Sequence, residues 1–154
     1  MSAGSEARLW AYLRGGMRGR WHAQRHEDRS ARGVPDVSYG LAGHSGWIEL
    51  KHVDAWPVRD ATPVRVGLTQ EQAIWLTDRA GCGGGQCFVL LKVGRSREYL
   101  LFGHDAVMVL AAGKLDRMTL KTYAVRRWAD RISFDELHGI LAHDGFSVYT
   151  RRGP

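Results

Sequence analysis

Cysteine and proline are scarce in this chain, at two and four of its 154 residues. A single pair, Cys82 and Cys87, excludes a disulfide-stapled scaffold, and in a reducing compartment the two are expected to stay thiols. A zinc site would need two further ligands, and none of the seven histidines lies at finger-like spacing from the pair. No apolar run reaches the roughly 18 residues that a bilayer span requires, and the amino terminus lacks the apolar stretch that directs secretion. The expectation is a cytoplasmic protein with no membrane partner. Neither an internal repeat nor a low-complexity segment is visible, which excludes a solenoid.

Apolar residues and positive charge are what the chain does have. With 44% apolar residues, a chain of this length is expected to form one domain over 1–154 and to bury about 70% of its unfolded surface. The formal net charge is +6, and Arg14, Arg18, Arg20, Arg25, Arg29 and Arg32 concentrate much of the excess before residue 33. Such a stretch would neutralise several phosphates and make binding steeply salt-dependent. A solvated basic segment is the plainer alternative.

Periodicity and turn residues predict the elements in order. Ser5 caps a first helix running to about residue 17, with Leu9, Trp10, Leu13 and Met17 on its apolar stripe and Gly15-Gly16 weakening its last turn. Residues 21–26 read as a strand, and 34–39 and 47–53 as a hairpin around a turn over 40–46. The stretch 54–67, with Pro57 and Pro63, reads as a loop. Thr69 and Gln72 form a capping box that opens the clearest helix, whose apolar face continues through Ala73, Ile74, Leu76 and Ala80 until the glycines at 81–85. Residues 86–93 are a strongly apolar strand and 98–102 its hairpin partner. Beyond them lie a short helix over 105–113 and a helix to about residue 143, opened by a second capping box, Ser133 with Glu136. Arg126-Arg127-Trp128 reads as a helix surface with one buried Trp, and Arg151-Arg152 as part of a disordered tail.

Reactive residues concentrate in the hairpin. Asp36 follows Pro35, and Glu49, which begins Glu49-Leu50-Lys51, lies thirteen residues further on. Strand alternation puts Ile48 and Leu50 on one face and Trp47, Glu49 and Lys51 on the other. A solvated edge strand also carries such charges. Pro35, however, favours extended backbone and cannot donate to a ladder, so it fixes where the strand bearing Asp36 begins. A carboxylate at a strand start beside one in mid-strand suits Mg2+, which takes oxygen ligands at about 2.0–2.1 Å. Buried without a cation, such a carboxylate would protonate or cost several kcal/mol.

Gly33-Val34-Pro35-Asp36, the strand Trp47-Ile48-Glu49-Leu50-Lys51 and the helix opening Leu68-Thr69-Gln70-Glu71-Gln72 together resemble the PD-(D/E)XK nuclease superfamily, over about residues 5–93. Within it the likeness is to small stand-alone VRR-NUC or phage-type nucleases and to archaeal Holliday junction resolvases. The resemblance implies an α/β (α+β) restriction-endonuclease-like core over about 5–102, with a central mixed β-sheet flanked by helices in the order αβββαβ. A C-terminal helical extension would cover about 103–154. Catalytic roles fall to Asp36, Glu49 and Lys51, and metal ligation to Glu6, Asp36 and Glu49. Glu6, near a helix amino terminus, is equally explained by the macrodipole. Gln72 and Arg25 would support the site; Arg25-x-Glu27 matches the strand before the Pro-Asp motif of phage-type members, whereas Gln72 is already accounted for by the capping box. His44 and His52 lie near the hairpin, but His52 alternates to the face opposite Lys51.

The implied activity is that of a Mg2+-dependent DNA endonuclease, with Mn2+ able to substitute, in the cytoplasm of a bacterium or a phage-infected host. Branched DNA such as a Holliday junction is the favoured substrate. Arg18, Arg20, Arg29 and Arg32 are the expected DNA contacts. A homodimer is expected because a four-way junction offers two equivalent strands to a two-fold protein. The alternative is a catalytically inactive nucleic-acid-binding module of the same fold, against which the acidic pair speaks, since carboxylates repel bound phosphates.

Overall fold

Residues 86–93 are apolar at consecutive rather than alternate positions, a pattern that suits a strand covered on both faces. In the computed structural model, which describes residues 3–27, 32–83 and 86–143, this strand (β4, Gln86–Val93) lies inside a six-stranded sheet. Its companions are β1 (His22–Arg25), β2 (Val37–Leu41), β3 (His44–Val53), β5 (Glu98–Gly103) and β6 (Arg126–Ala129), ordered in space as in the sequence. β3 and β4 are parallel, and the other neighbours are antiparallel. A parallel pair needs a crossover, and here it passes through the loop after β3 and α2 (Gln70–Gly81). The remaining helices are α1 (Ala3–Gly16), α3 (Val107–Ala112), α4 (Arg117–Tyr123) and α5 (Phe134–Leu141). The fold is thus α+β, a mixed sheet flanked by helices, and the expected order of helix, three strands, helix and strand is present.

Two apolar layers cover the sheet. On one face, Leu13 and Met17 of α1 and Leu137 and Leu141 of α5 join Ile48, Leu50, Phe88 and Leu90. On the other, Leu76, Leu110 and Leu120 join Val89, Leu91 and Phe102. Each large side chain so buried contributes about 1.5–3 kcal/mol. The apolar stripe expected on α1 is buried throughout, from Leu9 to Met17.

Several local expectations change. α1 begins at Ala3, so Ser5 is an interior residue whose Oγ accepts from Arg8 Nη2 at 3.2 Å instead of a cap. The hairpin turn is only Ala42-Gly43, because Leu41 already pairs with His44. Both turn residues have positive φ, 49° and 84°, the mirror-image turn whose twist matches the flanking strands; alanine is a poor marker for it. β2 starts at Val37 and not at 34, since Pro35 has no N–H for the ladder. Ile74 is 45% exposed and lies off the buried stripe of α2.

Among the described residues after β5, the regular elements are helical except for one strand. Arg126-Arg127-Trp128 is not a helix surface: it belongs to β6, paired with β5, with Trp128 buried. Trp128 Nε1 donates to Glu136 Oε2 at 2.7 Å, and Arg126 Nε donates to the same oxygen at 2.8 Å. Glu136 is therefore drawn away from the α5 amino terminus, where the Ser133 Oγ accepts from the Glu136 N–H at 3.3 Å without a reciprocal bond. The loop over 54–67 has no regular element but is packed, with Val64 and Val66 buried and the Val64 N–H bonded to the Leu115 carbonyl at 2.8 Å. Cys82 and Cys87 are free thiols. Among the described residues no helix is long and apolar enough to cross a membrane. Arg151-Arg152 lies outside the described residues.

Candidate active site

Asp36 is positioned by what β2 leaves unfinished. The ladder to β3 starts at Val37 opposite Ile48, and the next backbone donor along β3 must find another partner. The Asp36 carboxylate supplies it: Oδ2 accepts the Leu50 N–H at 2.8 Å. Its carbonyl accepts the His26 N–H at 2.7 Å, so the residue is clamped between β3 and the end of β1.

Glu49 and Lys51 point from β3 toward α2, and both are almost fully buried, at 2% and 5% exposure. Lys51 Nζ lies 3.0 Å from Glu49 Oε1. The same oxygen accepts from Gln72 Nε2 at 2.7 Å. Gln72 does this while completing the capping box, in which its Oε1 accepts the Thr69 N–H at 3.0 Å and its own N–H donates to Thr69 Oγ1 at 3.1 Å. Only the amide oxygen can accept from Thr69, which leaves the nitrogen to face Glu49. The box and the site therefore share one side chain.

Glu49 Oε2 is buried with no hydrogen-bond partner. Burial and then the charge of Asp36 push the Glu49 carboxyl up to about 8, against the pull of Lys51. On α1, Glu6 is also raised by burial; Lys51 opposes this and Asp36 adds to it. α1 thus brings a third carboxylate into electrostatic range of the other two. Among the described residues, no three His, Cys, Asp or Glu side chains close around a common point as they stand. The donor set still fits a hard divalent cation, being all oxygen, anionic in excess of Lys51, and holding one buried oxygen that nothing satisfies.

Gly33 ties the Pro-Asp motif to α2. Its φ is +83°, and a Cβ there would meet the Glu71 carbonyl oxygen at 2.6 Å. Gly33→Ala is expected to cost about 1–3 kcal/mol from the backbone conformation. The thermal midpoint should fall by roughly 2–12 °C, read by calorimetry.

The other expected residues are more dispersed. Arg25 Nη1 lies 3.8 Å from Glu27 Oε1, its Nε is buried and unpartnered, and its charge acts on Glu6. Arg32 is exposed in the turn just before Gly33. Arg18 and Arg20 follow the far end of α1, about 15 Å along the helix axis from Glu6, and Arg20 pairs with Asp135 at 2.7 Å. Arg29 lies outside the described residues. His52 is on the opposite sheet face from Lys51, 3.6 Å from Asp54, with its pKa lowered by burial. His44 sits at the hairpin tip. Trp75 and Arg79 border the site without having been expected there; the signal was their i+3 and i+7 spacing from Gln72.

No family model matches the sequence, and no curated protein matches it. Among solved structures, the chain is similar to Hjc, a Holliday junction resolvase from the archaeal hyperthermophile Archaeoglobus fulgidus. The identity is 20%, the match covers 64% of this chain and 77% of that one, and the TM-score is 0.48.

Proposed function

We propose that the chain is a metal-dependent DNA endonuclease that hydrolyses a phosphodiester bond at Asp36, Glu49 and Lys51. The observation that carries this reading is Glu49 Oε2, a buried carboxylate oxygen without a partner beside a second carboxylate. A module that only binds DNA gains nothing from such a group, which costs stability and repels phosphate.

Asp36 and Glu49, with Glu6, would hold Mg2+, for which Mn2+ would substitute. Bound there, the cation would neutralise charge on the phosphate and acidify a water. Lys51 would donate from its ammonium to the attacking water or to a non-bridging phosphate oxygen and would stabilise charge as the pentavalent transition state forms. Gln72 holds the Glu49 carboxylate in one orientation, and the Leu50 N–H does the same for Asp36. Arg25 and Arg32 would contact phosphates near the cut, with Arg18, Arg20 and Arg29 further along the DNA. A homodimer acting on branched DNA is the form we favour, because a two-fold protein matches a two-fold junction.

Purified protein incubated with four-way junction, flap, linear duplex and single-stranded DNA is expected to cut in Mg2+ and to stop in EDTA. Paired symmetric cuts in the junction would identify a two-fold resolvase. Folded protein that neither cuts any of these substrates nor binds Mg2+ in calorimetry would instead be the inactive binding module.

A further inference from the structure

Next to the carboxylates lies an aromatic cluster that phosphodiester hydrolysis does not require. Trp47 is two positions from Glu49 on the same face of β3, about 7 Å along the strand. Gln72, Trp75 and Arg79 form one stripe of α2. Where Gln72 meets Glu49, Trp75 and Arg79 meet Trp47. The two indoles are 4.9 Å apart at 68°. The Arg79 guanidinium lies 4.9 Å from the Trp75 ring centre and 5.4 Å from that of Trp47, and it makes no ion pair among the described residues. The His26 ring adjoins Trp47 at 5.1 Å and is held by Ser38 Oγ, 2.7 Å from Nε2.

Of this cluster, Trp75 and Arg79 are open to a ligand: with Asp78 and Cys82 they line a surface cleft of about 360 Å³. The Trp75 ring is held there by Trp47 and Arg79, so a flat π system could stack against it without ordering it first. A nucleobase has such a face, and base-on-aromatic stacking tolerates any sequence. A base inside continuous duplex does not, because its faces are covered by its neighbours.

We propose that Trp75 and Arg79, backed by Trp47, form a stacking site for one unpaired nucleobase beside the scissile phosphate. The substrate is then DNA with an unpaired nucleotide at the cut, such as a flap, a single-stranded end or a branch point, in preference to continuous duplex. The nuclease reading supplies the position of the phosphate; the base site itself stands on the cluster.

The test is anisotropy of labelled DNA with the full chain in EDTA, where nothing is cut. Three probes are compared: a blunt duplex, the same duplex with a short overhang, and that overhang made abasic. The overhang should bind more tightly than the blunt duplex, and the abasic version should bind like the blunt one. Trp75→Ala should weaken overhang binding by roughly 5- to 100-fold and leave the blunt duplex within about twofold, while Trp75→Phe, which keeps a ring, should retain most of the preference. Equal binding of abasic and base-bearing overhangs by the unmodified protein would overturn the proposal even if Trp75→Ala fails to fold. A Trp75→Ala loss of the same size on all three probes would overturn it too. Cleavage is then measured separately in Mg2+. Base-dependent binding without cleavage removes the nuclease reading and leaves the base site, and cleavage without base dependence does the reverse.

Discussion

Asp36→Asn is expected to lower cleavage by more than about 100-fold while the thermal midpoint stays within a few degrees. The activity loss is expected because even groups that merely support metal ligands are worth about 10–100-fold, and Asp36 would bind the cation directly. Stability should survive because asparagine keeps a carbonyl oxygen for the Leu50 N–H, now bonded at 2.8 Å. Removing the Asp36 charge also relieves Glu49, whose raised pKa that charge helps to produce. Lys51→Ala should behave differently. It removes the ammonium 3.0 Å from Glu49 Oε1 and leaves a buried carboxylate with Gln72 alone, so both rate and stability fall. Breaking a buried pair costs about 3–5 kcal/mol, less whatever protonation of Glu49 recovers. Initial rates on a junction or plasmid in Mg2+, with calorimetry on the same samples, check both variants. Full activity in Asp36→Asn would remove Asp36 from the site.

In the absence of divalent cations, the protein is expected to lose stability as pH rises from about 5 to about 8. The cause is Glu49, whose carboxyl is pushed up to about 8 by burial and by Asp36. Between its ordinary value of 4.5 and that value, the folded state holds a proton that the unfolded state has released. The contribution of Glu49 to stability therefore falls with pH in this window and is level on either side of it. The loss is on the order of 5 kcal/mol, or roughly 10–20 °C in the thermal midpoint of a domain this size. Glu49→Gln should flatten the slope. Mg2+ should raise the midpoint most near pH 8, where it no longer competes with that proton, and least near pH 5. Melts in EDTA and in Mg2+ across this range check the sign, and a metal-free protein that grows steadily more stable toward pH 8 would refute the assignment.

The helices and strands with continuous patterns were legible in the sequence because their signals are local. The stripe Leu9, Trp10, Leu13, Met17 and the run 86–93 announce how many faces each element buries, and Thr69 with Gln72 marks a helix start. β6 was not legible, because its four residues carry only one buried side chain, Trp128, and become a strand only by pairing with β5. The second capping box marked its helix start correctly, since Ser133 caps α5, but its other half is absent for a related reason: Glu136 is taken by Trp128 and Arg126, partners that sequence spacing does not reveal.

The candidate site divides along the same line. Alternation along one strand is a property of the backbone, so the sequence alone determined that Glu49 and Lys51 share a face and that Asp36 stands at the entry to the neighbouring strand. Tertiary structure alone decided that this face is buried, because burial depends on α2 crossing it, and with burial came the raised carboxyl and the unpartnered Oε2. It also resolved the competition over Gln72, whose two amide ends bond Thr69 and Glu49 at once. Trp47 is far from Trp75 and Arg79 in sequence, and only the packing of α2 on β3 joins them into one wall.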